Sequence, residues 1–123
     1  MTGELEVKKL IKKPKTKTKK ITSNKMAKYV IPRQNMVYLF YMKKCPHCIA
    51  MENEWKRAKE FDYPKIKNIT EIEREFVHSL KYPELKDINA FPLIIAFDKN
   101  GKKIEYNGHR NENAFANFIK HYG

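Results

Sequence analysis

Cysteine is scarce in this chain: two residues in 123, Cys45 and Cys48. So few thiols exclude a fold stapled by several disulfides. Long hydrophobic stretches are absent as well. The longest, MVYLFYM at 36–42, has seven residues, far short of the roughly 18 needed to cross a bilayer as a helix. The opening MTGELEVKKLIKK lacks the apolar core of a secretory signal, so an intracellular location, cytoplasmic or nuclear, is expected, or a virion if the source is viral. In a reducing compartment a structural disulfide is disfavoured, and two adjacent thiols point to redox or metal chemistry.

Acidic residues are rare at the N-terminal end. Residues 1–34 hold 11 basic side chains and 2 acidic ones, whereas the remainder holds 15 and 12. The formal charge of +12 is therefore concentrated in the first part. Lys recurs at nearly every second position through residues 8–28, a pattern that repels itself and has little to bury. The expectation is a basic extension over 1–34, largely disordered, followed by a folded domain over 35–123. The stretch MAKYVIPRQ at 26–34 is more apolar and is expected to lay a short extended piece on the domain. The segment KKPKTKTKK resembles a Lys-rich import signal, and residues 8–28 could meet nucleic acid or another acidic surface. Lys outnumbers Arg 22 to 4. Such contact would be nonspecific and salt-sensitive, because bidentate readout favours Arg. The bias toward Lys, Asn and Ile fits an A+T-rich genome.

From Met36 the pattern changes. MVYLFYM has the β-branched and aromatic character of a buried strand. The two cysteines follow, and then Cys48, Met51, Trp55 and Ala58 recur at helical spacing, predicting a helix over 46–61 with Pro46 in its first turn. KIKNI at 65–69 predicts a second strand. Thr70 with Glu73 suggests a capping box, and Ile72, Phe76 and Leu80 one face of a helix ending before Pro83. FPLIIAFDKNGKKIEY predicts a hairpin about Asn100-Gly101. The last helix is expected to be capped by Asn111 and to bury Ala114, Phe115, Phe118, Ile119 and Tyr122. Strand, helix, strand, helix, hairpin, helix implies an α/β domain: a mixed sheet with helices on its faces.

A thiol attacks as its thiolate, and an ordinary cysteine at about pKa 8.5 is mostly protonated in a cell. Cys45 at a helix start would face the unpaired N–H groups and the positive end of the helix dipole, both favouring an anion. His47, Lys43 and Lys44 offer further positive charge. Cys48 lies one turn further in. Cys45 is thus expected to be the exposed nucleophile and Cys48 the sheltered, resolving thiol. Zinc is the competing use of such a pair, but two cysteines supply half of a four-ligand site, and His78, His109 and His121 show no ligand spacing. No metal or cofactor is expected.

A strand running into CPHC at a helix start, Phe91-Pro92 before a strand, then DKNG, YNGHR and a terminal amphipathic helix together resemble the thioredoxin superfamily over residues 35–123. FYMKKCPHC with ENEWKRAKE is similar to the catalytic domains of protein disulfide isomerases. The CPHC tetrad itself resembles the bacterial periplasmic oxidants. The resemblance implies a thioredoxin fold whose first strand and helix are shortened or missing. It also implies a thiol–disulfide oxidoreductase acting on protein substrates, served by a reductase, an oxidase or glutathione. On that resemblance Cys45 and Cys48 are catalytic, Pro46 and His47 tune the potential, and Phe91 with a cis Pro92 presents the substrate chain. Three positions depart from the pattern. Leu39 stands where relatives often carry a buried acid, Lys44 where they carry Trp, and Asn53 where a proline kinks the helix. These departures argue against fast isomerase-like turnover and for a more basic surface about Cys45. The reading from another class is a redox-inert adaptor whose basic tail binds nucleic acid or another acidic partner.

Overall fold

A computed structural model describes residues 15–123. Five strands form one sheet in the order β1-β3-β2-β4-β5. They are β1 Thr16–Ile21, β2 Met36–Tyr41, β3 Lys67–Glu73, β4 Leu93–Phe97 and β5 Lys103–Glu105. The helices are α1 Asn24–Lys28, α2 Pro46–Lys59, α3 Arg74–Val77, α4 Pro83–Lys86 and α5 Glu112–Tyr122. β3 runs parallel to both β1 and β2, while β4 is antiparallel to β2 and to β5. The expected mixed sheet is present, and α2 supplies the crossover that a parallel pair requires.

Alternation along the central strands gives the sheet two buried faces. Val37 and Leu39 of β2, with Ile94 and Ala96 of β4, point to one side, where Met51 and Trp55 of α2 and Phe115 and Ile119 of α5 cover them. Tyr38 and Phe40, with Ile95 and Phe97, point to the other, covered by Ala27, Val77, Leu80 and Leu85. A strand packed on both faces reads as a continuous apolar run, which is why MVYLFYM lacks polar interruption. At the far edge, Asp98 accepts from the N–H groups of Asn100 (2.8 Å) and Lys102 (2.9 Å), and Gly101 takes φ +79° to close the turn. That left-handed conformation is one glycine adopts without steric cost.

Three expectations are corrected. The domain does not begin at 35. Residues 16–21 form an edge strand and 24–28 a short helix capped by Ser23, whose side chain accepts from the Met26 N–H at 3.1 Å. The Lys-rich stretch expected to be disordered is therefore folded from residue 15 onward, and residues 8–14 lie outside the described residues. Parallel pairing to β3 supplies the backbone partners, Ile21 and Ala27 are fully buried, and Lys17, Lys19 and Lys20 stay in solvent. Charged side chains on an edge strand are a usual protection against further pairing. The first strand is thus complete, and only its helix is short.

Nor is there a capping box at Thr70. NITEIE continues β3 to Glu73, flanked by β1 and β2, so Thr70, Glu71 and Glu73 are buried strand residues. Tertiary pairing outweighs a local capping signal here, and the helix shrinks to Arg74–Val77. Finally, MAKYVIPRQ is not simply extended, since its first residues belong to α1 and Val30 is buried. The terminal helix matches expectation at its cap, where Asn111 accepts from the Ala114 N–H at 2.9 Å. It buries Phe115, Ala116 and Ile119, leaving Ala114, Phe118 and Tyr122 half-buried.

Candidate active site

β2 ends at Tyr41, and the chain turns through Lys43 and Lys44 into α2. Lys44 sits at φ +60°, an uncommon conformation for a residue with a Cβ. It redirects the backbone so that Cys45 becomes the N-cap of α2 and Pro46 its first helical residue. Proline is favoured there because its missing N–H would have had no partner inside the helix. No acidic residue stands in the first turn to neutralise the dipole.

The two cysteines are free, and each residue as a whole is 9% exposed. Burial nevertheless weighs more on the Cys48 thiol than on the Cys45 thiol, and an electrostatic asymmetry adds to that difference. The Cys48 thiol and the backbone N–H groups of Cys48 and His47 all favour the Cys45 anion and hold its pKa below the ordinary value, with Arg110 adding positive charge. As a neutral thiol, Cys45 makes no capping hydrogen bond, so these donors act for the charged form. Cys48 moves the other way. Burial raises its pKa, and the adjoining Cys45 adds to the rise, against the Met42 N–H that points at its sulfur from 3.4 Å.

His47 and Pro46 are exposed at the tip. His47 acts on Cys45 through its backbone N–H. Phe91 and Pro92 lie at the start of β4, joined by a cis peptide bond, and Pro92 lines the same cavity of about 800 Å³ as Cys48. Leu39 and Trp55 also line this cavity, with Glu71 and Lys59. Among the described residues no cluster of His, Cys, Asp and Glu could hold a metal ion.

Sequence reading missed two groups. Arg110, within YNGHR, reaches both cysteines electrostatically. The motif was visible, but a loop side chain's direction is not. Glu71 is the other. It sits opposite Leu39 in the β2–β3 register and is 7% exposed. Its carboxylate accepts from Trp55 Nε1 at 2.7 Å and Lys59 Nζ at 2.6 Å. The acid missing at Leu39 thus has a neighbour in the adjacent strand, but one bound to residues further along α2 than Cys48. Once Glu71 is placed in a strand rather than a helix, alternation aims it inward.

The family model described as Thioredoxin matches residues 17–121. Among curated proteins no sequence gives a significant match. The fold is similar to that of a thioredoxin of Malassezia sympodialis, at 18% identity and TM-score 0.58, covering 89% of this chain and 93% of that one. The J-Trx1 fragment of ERdj5 gives 17% identity and TM-score 0.56 over 82% of this chain and 49% of the fragment. The first thioredoxin domain of mouse protein disulfide-isomerase A4 gives 21% and 0.51 over 69% of this chain and 60% of the solved chain. The chain thus spans about half of one of these structures and three fifths of another.

Proposed function

We propose that this chain, which belongs to the thioredoxin family, is a thiol–disulfide oxidoreductase that exchanges disulfides with protein substrates. The observation that carries the proposal is the placement of two free thiols one helical turn apart at the start of α2, with Cys45 as its N-cap, in surroundings that favour the Cys45 anion and disfavour that of Cys48. The Cys45 thiolate attacks one sulfur of a substrate disulfide. A Cys45–substrate bond forms as the substrate S–S bond breaks, and the departing sulfur leaves as a thiolate. Cys48, after losing its proton, attacks the Cys45 sulfur, closing Cys45–Cys48 and releasing the second substrate thiol. Two electrons pass to the substrate, and an external dithiol or glutathione restores the pair. The same steps reversed oxidise a substrate dithiol.

Phe91 and Pro92 present the substrate chain beside the pair, while Pro46 and the His47 N–H tune its potential. Stabilising the thiolate stabilises the reduced form, which shifts the potential in the oxidising direction.

Trapping tests these roles. Cys48→Ser accumulates mixed disulfides with protein partners in cells, and Cys45→Ser does not. Equal trapping by the two variants contradicts the assignment, and absence of trapping together with failure to reduce insulin favours the redox-inert adaptor.

A further inference from the structure

Beside the redox pair, on the side of the Phe91–Pro92 junction, an open groove of about 520 Å³ runs between α3 and the loop that follows α4. Met42, Ile88 and Phe91 form its apolar side, and Arg74, His78 and Lys86 its polar side. No carboxylate belongs to the lining. The three apolar residues are half-buried, whereas Arg74, His78 and Lys86 are exposed.

The groove is continuous with the chemistry. Met42 lines it while its N–H points at the Cys48 sulfur, and Phe91 lines it while preceding Pro92. Its cations are uncommitted to local acids. Among the described residues the ion pairs use Lys15, Lys43 and Lys59, and none involves Arg74 or Lys86. Glu73, the acid preceding Arg74, is turned inward at 8% exposure and faces Lys43 at 3.6 Å. Glu75, which follows it, lines the cavity behind Cys48.

We infer that this groove receives the segment next to a substrate cysteine and selects acidic segments. The partner is a peptide stretch carrying Asp or Glu together with an apolar side chain. The inference rests on the oxidoreductase reading and adds the substrate class to it. Arg74 presents a planar fork that matches a carboxylate, Lys86 a second cation, and the apolar wall a surface for an adjoining side chain. A free small anion would leave that wall unused. Exposed Lys44 and Arg110 add positive charge at the pair, so an acidic substrate is also drawn to the site before contact.

The test uses two synthetic cysteine peptides of equal length, each activated as a neutral 2-pyridyl mixed disulfide. One carries Glu and Leu beside the cysteine, the other Lys and Leu. Attack by Cys45 on the peptide sulfur forms the protein–peptide disulfide and releases 2-thiopyridone, whose absorbance gives the rate. With the reduced full chain, the Glu peptide reacts on the order of tenfold faster than the Lys peptide, and the ratio falls toward one as salt is raised. In Arg74→Glu/Lys86→Glu the ratio inverts. Equal rates in the wild-type chain, or an unchanged ratio in the double variant, overturn the groove's role and leave the redox reading standing. Lack of reaction with both peptides and with neutral hydroxyethyl disulfide overturns the two together.

Discussion

Cys45 and Cys48 differ in what surrounds each sulfur: the Cys48 thiol and the N–H groups of Cys48 and His47 favour the Cys45 anion, while burial weighs most at Cys48. Residue chemistry of this kind was legible in CPHC, because a proline at a helix start and thiols one turn apart fix most of the geometry. Arg110 and Glu71 were not, since each depends on where a distant segment comes to rest. Glu71 also gives a prediction at this scale. Its carboxylate satisfies Trp55 Nε1 and Lys59 Nζ in the core layer beneath α2. Glu71→Ala strands both donors and should cost about 3 kcal/mol, read as a lower urea midpoint. Lys15→Ala, which removes only the exposed pair with Asp62 at 3.6 Å, should stay within about 1 kcal/mol.

At the scale of elements, β2, α2, the β4–β5 hairpin and α5 were legible because each carries its signal locally: an apolar run, a 3.6-residue period, Asn-Gly, an Asn cap. β1 and the end of β3 were not. TKTKKI contributes one fully buried side chain, Ile21, and otherwise shows solvent a row of lysines. Its strand identity is supplied by β3. NITEIE is ambiguous in the same way, for its two glutamates face inward only when strands lie on both sides. The N-terminal strand therefore belongs to the stability of the whole domain. Ile21→Ala should destabilise by about 2–5 kcal/mol, whereas Lys17→Ala and Lys19→Ala should change stability by no more than about 0.5 kcal/mol. Chemical denaturation of the three variants checks this, and a neutral Ile21→Ala would mean that β1 does not pack as described.

Over the whole molecule, the thioredoxin fold was legible from the order of elements and two short motifs, while its N-terminal boundary was hidden by charge. The two-faced core also sets a pH limit. Burial raises the Tyr38 phenol above its ordinary value despite Arg33, and pushes Tyr41 and Tyr63 up to about 12, with Glu73 and Glu71 adding to the rise at Tyr41. A phenol whose pKa is higher folded than unfolded stabilises the fold fully below the unfolded value near 10 and loses that contribution as pH climbs through the folded one. Stability should therefore fall between about pH 10 and 12. Tyrosinate absorbance should show these three ionising late, together with unfolding.

In the proposed exchange a helix start holds one sulfur as an anion and its neighbour as a thiol. The direct measurement is iodoacetamide labelling of the reduced chain, followed by mass spectrometry at each cysteine across pH. Cys45 should label first at neutral pH, its rate reaching half-maximum below the ordinary thiol value of about 8.5, and Cys48 should label slowly until well above it. Equal rates at the two positions, or faster labelling of Cys48, would contradict the account.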